Sequence, residues 1–225
     1  MVSVQKAPSI ADLMDTIRSA GSGSDEVFGY PLLPNGLYLQ QDPKEFAEFV
    51  TFMATHAPPS GISLDIGVAS GGQTKFLRDY YVCEKTITLD LGEHPDAIHW
   101  ERIKASVNSD IILDIRDDSH APHVRKQLLP YKRKIDFAFV DGDHSYEGLR
   151  QDIILVRELL RPGAFMALHD TASEPECRRV YKDLLRSHIF EHVRDFESKF
   201  GISLWRMKKT VLAAMLTGHF AFRRL

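Results

Sequence analysis

From residue 61 the chain settles into short apolar runs separated by amphipathic stretches: ISLDIG, TKFLRDYY, ITLDLG, SDIILDI, VRKQLLPY, IDFAFVDG, a helical stretch reaching Leu160, and AFMALHD. Runs such as IDFAFV are apolar on both faces, as a parallel strand covered by helices on each side requires. The alternation predicts an α/β fold with a doubly wound sheet. In the stretch before Arg161, Leu149, Ile153, Val156 and Leu160 fall on one helical face. Upstream, Asp42-Pro43-Lys44-Glu45 reads as a helix start: Asp42 caps, Pro43 suits the first turn and Glu45 stands three residues on. Phe46, Phe49, Val50 and Met53 supply the buried face of that helix, which ends near Ala57-Pro58-Pro59. A short helix is expected over Ile10–Ser19, followed by the glycine-serine stretch GSGSDE, so residues 1–41 read as an arm or cap before a main domain over 42–207. After Asp170 the pattern predicts a helix over Arg178–Ser187, then a hairpin from HVRDFES and GISLWRM that closes the sheet edge. Residues 208–225 form a basic tail without an acid.

In an open parallel sheet, ligands bind beyond the carboxyl ends of the strands. Here each of five expected strands ends in an acid or a glycine loop: Asp65-Ile66-Gly67, Asp90, Asp114, Asp141 and His169-Asp170. The repetition predicts carboxylates along one edge of the sheet. Gly67, Gly71 and Gly72 let backbone come close to a ligand before a helix begins, but their spacing is not GxGxxG, which disfavours a pyrophosphate cradle. Asp65 is a candidate for an amine or ribose contact, and Asp90 for both ribose hydroxyls; together they suggest a nucleoside-bearing cofactor without a pyrophosphate. Asp141, His169 and Asp170 stand at the ends of two neighbouring strands, 28 and 29 positions apart, a set able to hold a divalent ion. His144, three residues past Asp141, has the right side chain to remove a proton near neutrality. Each residue also has a plainer reading: His144 as a loop or helix cap, His169 as a hydrogen-bonded support, the acids as solvated surface.

Composition narrows the classes. With 225 residues, 44% hydrophobic and 26% charged, the chain has enough apolar content for one well-buried domain. A net charge of −3 gives no general reason to expect nucleic acid as partner. Cys83 and Cys177, far apart, suggest neither a disulfide framework nor a metal knuckle and fit reduced thiols. No stretch reads as a signal peptide or membrane span, so a cytoplasmic location is expected.

LDIGVASGG, TLD, FVDGDHSYEGLRQDI and LLRPGAFMALHD resemble class I S-adenosylmethionine-dependent methyltransferases, and the second half is similar to small-molecule O-methyltransferases acting on sugars and other natural products, the macrolide-sugar enzymes among them. The resemblance spans roughly residues 40–207. It implies a Rossmann-like, seven-stranded, mostly parallel sheet whose final hairpin contributes the antiparallel strand. It places Asp65, Gly67, Ser70, Gly71 and Asp141 on the S-adenosylmethionine, Asp90 and Leu91 at the ribose, and Asp114, Ile115 and the segment to Ser119 near the adenine. It assigns Mg²⁺ or Mn²⁺ to Asp141, His169 and Asp170, with His169 replacing a carboxylate, and makes His144 the general base toward a small-molecule hydroxyl. Tyr30–Gln40 and the arm before it are candidates for the lid, and Arg116 and Tyr146 are candidate pocket residues.

Other readings stay open: metal-free methyl transfer, a nucleic-acid methyltransferase using Lys199, Arg206, Lys208, Lys209, Arg223 and Arg224, or a cofactor-binding protein without turnover. The arm and tail suggest a homo-oligomer.

Overall fold

The computed structural model describes residues 9–21 and 33–209. Helix α1 (Ile10–Ala20) and α2 (Pro43–His56) precede seven strands: β1 (Ser60–Ile66), β2 (Cys83–Asp90), β3 (Asp110–Arg116), β4 (Ile135–Val140), β5 (Leu160–Leu168), β6 (Phe190–Phe196) and β7 (Ile202–Met207). Between them lie α3 (Gly72–Tyr80), a short α4 (Trp100–Lys104) entered through a 3₁₀ turn, α5 (Pro122–Leu128), α6 (Tyr146–Leu159) and α7 (Pro175–Leu184). The strand order is β3-β2-β1-β4-β5-β7-β6, with β7 antiparallel to both β5 and β6 and the other pairs parallel. The expected sheet, including its closing hairpin, is therefore present.

Strand β4 shows how the sequence makes two layers. Ile135, Ala138 and Val140 join an aliphatic core beneath α5, α6 and α7, while Phe137 and Phe139 join an aromatic core with Phe46, Phe49 and Phe76 beneath α2 and α3. Helix α2 starts as expected, with the Asp42 carboxylate accepting from the Lys44 and Glu45 amides at 3.0 and 3.1 Å. The arm expected before it is only partly an arm. Leu13 and Ile17, one turn apart, are buried in the aromatic core, so α1 packs into the domain; GSGSDE after its first glycine, most of the tail and the Tyr30 end of the expected lid lie outside the described residues. Helix α7 begins earlier than expected because Pro175 supplies its first turn. Among the described residues no helix is long and apolar enough to cross a membrane.

Candidate active site

A cleft of about 790 Å³ opens beyond the carboxyl ends of β1, β2, β4 and β5, on either side of the point where the strand order reverses between β1 and β4. Tyr38, Ala69 and Asp170, all lining it, hold positive φ of 50, 46 and 58°, a backbone cost that concentrates at functional sites. Gly67 is required there: at φ 78° a Cβ would lie 1.9 Å from the Asp141 carbonyl oxygen.

Of the expected cofactor residues, Gly67, Ser70, Asp90, Leu91 and Asp141 line the cleft. Asp90 shapes the glycine loop from inside, with one oxygen accepting from the Val68 and Ala69 amides at 2.6 and 2.8 Å and the other from Gly92 at 2.6 Å. The Ser70 hydroxyl is spent on the Leu37 and Tyr38 carbonyls, which ties residues 37–41 over the cleft as a strap; Gln40 fastens the strap to Asp96 at 2.9 Å.

Four expected residues are corrected. Asp65 does not reach the cleft: it is fully buried, accepting from Thr74 and ion-paired to Arg78, both at 2.7 Å. Asp114 accepts from Thr88, Trp100 and Lys104 at 2.8 to 2.9 Å, and Ile115 lies in the aliphatic core. Asp65, Thr88 and Asp114 share one register level across β1, β2 and β3, short of the strand ends, so these acids meet partners on the covering helices. Gly71 serves packing, because a Cβ there would meet the Trp100 ring at 2.2 Å. It is Asp117, Asp118, Ser119 and His120, past the end of β3, that line the cleft where the adenine was expected. Arg116 and Tyr146 also stay outside: Arg116 sits over the Trp100 ring and pairs with Asp90 and Asp114, and the Tyr146 hydroxyl donates to Asp183.

At the other end, Asp141, His144, His169 and Asp170 do meet. His169 Nδ1 stands 3.1 Å from Asp141 Oδ1 and from Asp170 Oδ2, and His144 Nε2 addresses the same two oxygens at 3.4 and 3.3 Å. The two imidazoles differ in exposure, with the His144 side chain 45% exposed and that of His169 4%. Burial works against charge on His169, but Asp141, Asp170 and Glu45 outweigh it and hold its pKa well above the ordinary value. Burial likewise opposes ionisation of Asp141, and the two imidazoles more than compensate, keeping its carboxyl well below the usual range. The hydrogen bond to Asp141 lifts His144 to about 8. One ligand atom each from Asp141, His144 and Asp170 come within 4.8 Å of one another, so the donor set that converges contains His144 where His169 was expected. The His169 Nδ1 faces the carboxylates themselves, which makes it their support.

Sequence reasoning missed three contributors. Glu45 was read as a cap partner, but its side chain is fully buried and Oε2 accepts four backbone amides, Ser198 to Gly201, at 2.9 to 3.2 Å, while Oε1 stands 3.7 Å from His169 Nε2. Burial raises its pKa, yet His169 and these amides bring it below the ordinary value. No local signal reveals this, since the partners lie more than 120 positions away. Gln73, in the first turn of α3, lines the cleft with a buried amide nitrogen that has no hydrogen-bond partner among the described residues. Asp152, on α6, is buried behind the adenine-side loop and accepts from the Ser119 hydroxyl at 2.6 Å.

Residues 64–171 match the family model described as a methyltransferase domain. Among solved structures, the O-methyltransferase TomG from Streptomyces achromogenes, involved in tomaymycin synthesis and determined with S-adenosylmethionine, aligns at 14% identity and TM-score 0.53, covering 92% of each chain. An O-methyltransferase from Bacillus cereus in complex with S-adenosylhomocysteine aligns at 16% identity and TM-score 0.52, covering 92% of this chain and 94% of that one. The carbon methyltransferase of CurJ aligns at 15% identity and TM-score 0.53, over 77% of this chain and 57% of its own, so the fold alone does not choose the accepting atom. No curated protein matches the sequence. The sequence match places a methyltransferase domain over residues 64–171, and the solved structures share the fold.

Proposed function

We propose that the chain transfers a methyl group from S-adenosylmethionine to a hydroxyl oxygen of a small molecule such as a sugar or another natural product, with His144 as general base. The observation that carries this reading is His144 Nε2, half-exposed at the cleft and held by two carboxylates, where an acceptor hydroxyl can reach it. The cofactor fits the other end: the Gly67 cradle admits no side chain, and Gln73 offers a buried amide donor that a carboxylate would satisfy. When bound, S-adenosylmethionine supplies the electrophilic methyl. The protein's part is to fix the acceptor, exclude water beneath the 37–41 strap, and take the hydroxyl proton at His144 Nε2. TomG and the B. cereus enzyme, both described as O-methyltransferases, show that this fold can serve an oxygen acceptor.

A second reading is favoured by the convergence of Asp141, His144 and Asp170, whose donor chemistry fits Mg²⁺ or Mn²⁺. Such an ion, when bound, would acidify the acceptor hydroxyl. His144 then serves as a ligand, because the nitrogen facing the carboxylates is the one a base would use. Calorimetry with S-adenosylmethionine, and turnover with and without a chelator, test both. Cofactor binding with chelator-resistant turnover supports the base, chelator-sensitive turnover supports the ion, and absence of cofactor binding overturns the proposal. Gln73→Ala is expected to weaken cofactor binding by ~10-fold or more, the usual cost of losing a hydrogen bond to a charged group.

A further inference from the structure

We infer that the preferred acceptor carries a protonated amine beside its reacting hydroxyl, and that Glu174 is the carboxylate that meets it; this rests on the hydroxyl-acceptor reading of the same cleft. Among the described residues the cleft is lined by eight carboxylates and four imidazoles, without a lysine or arginine. Lys199 stays outside the lining, with Nζ over the Phe200 ring at 5.2 Å. At the methyl-receiving end the balance is sharper. Glu45, Asp141 and Asp170 each place a carboxylate oxygen within 3.7 Å of one buried imidazole, His169.

Glu174, an exposed residue, adds a further carboxylate to the cleft lining. It stands just ahead of α7, one turn past Asp170, makes no side-chain cap to that helix, and has no side-chain hydrogen bond or ion pair among the described residues. Asp143, the other acid nearby, is occupied, accepting from the Ser145 amide at 2.8 Å. An acceptor bearing a carboxylate or phosphate would bring like charge to a lining without a lysine or arginine to receive it. The same absence argues against a nucleic-acid backbone, whose binding is driven by lysine and arginine. An ammonium group offsets the surplus.

The test uses the full chain with saturating S-adenosylmethionine and follows S-adenosylhomocysteine release from matched acceptor triplets on sugar and phenol scaffolds: amine-bearing, neutral and carboxylate-bearing. The amine-bearing member is expected to lead the neutral one by ~10-fold or more in kcat/KM, equivalent to about 1.4 kcal/mol, with the carboxylate-bearing member slowest. Glu174→Gln should bring the amine-to-neutral ratio close to one, and Glu174→Asp should retain part of it. A neutral or anionic member that matches the amine, or a preference that survives Glu174→Gln, overturns this inference alone. So does loss of the preference on adding Mn²⁺, which would make an ion the compensating charge. Cofactor binding without turnover of any member overturns the hydroxyl-acceptor reading, and this inference with it.

Discussion

On the proposed mechanism His144 sets the pH behaviour of the site. As a base it must be neutral, and its hydrogen bond to Asp141 raises its pKa to about 8. The rate is therefore expected to rise with pH through about 8, and Asp141→Asn should move that limb to lower pH; a kcat/KM profile between pH 6 and 10 reads both. His144→Ala should lower kcat by roughly 10²- to 10⁴-fold, the usual worth of a positioned base, while leaving cofactor affinity intact in calorimetry. Asp152 makes the opposite kind of statement. Burial lifts its pKa to about 6 against the donated hydrogen bond from Ser119, so its folded pKa exceeds its unfolded one. The associated stability is present below the ordinary carboxylate range and lost as pH rises through about 6. Asp152→Asn is expected to stabilise the fold by about 3 kcal/mol at pH 8 and little at pH 4, with denaturant titrations at the two pH values as the check. That acid holds the adenine-side loop at the expense of stability.

Helix α2 and the β6–β7 turn meet through one side chain. Glu45 collects four backbone amides from the turn and faces His169, so it joins an N-terminal helix to the chemistry of the β5 end. Glu45→Gln should cost roughly 3 kcal/mol, because it leaves a buried imidazolium without its third acid; urea unfolding measures this, and the loss should shrink at acid pH as the native carboxylate itself protonates. At this scale the sequence was readable wherever the information was local. Capping by Asp42, the two-faced IDFAFV strand and the closing hairpin all follow from neighbours in the chain. Asp65 and Asp114 misled because a strand-end acid looks the same whether it points past the sheet or at a covering helix; the choice is made by Arg78, Trp100 and Lys104. Glu45 was invisible in its role because its partners come from the far end of the domain.

For the molecule as a whole, the cleft spans the two halves of the sheet, so an occupant bridges β1–β3 and β4–β5. S-adenosylmethionine at about 100 times its Kd should add ~2.7 kcal/mol of stability, visible as an upward shift in thermal unfolding; a chelator that lowers the unbound protein's midpoint would point to a resident ion. Which residues gather at the cleft was legible from the order of strand ends, whereas the placing of His144 in the converging set and of His169 behind the carboxylates depends on side-chain directions that spacing does not encode. Trp100 gives the cofactor end an optical voice. Its indole is buried against Gly71, donates to Asp114 and carries the Arg116 guanidinium 5.0 Å from its ring, one loop away from the cleft, while Trp205, the other tryptophan, is buried in the sheet core. Any ligand that reseats the glycine loop must disturb that indole's surroundings, so intrinsic emission should follow cofactor arrival in real time, with Trp100→Phe silencing the signal and Trp205→Phe preserving it.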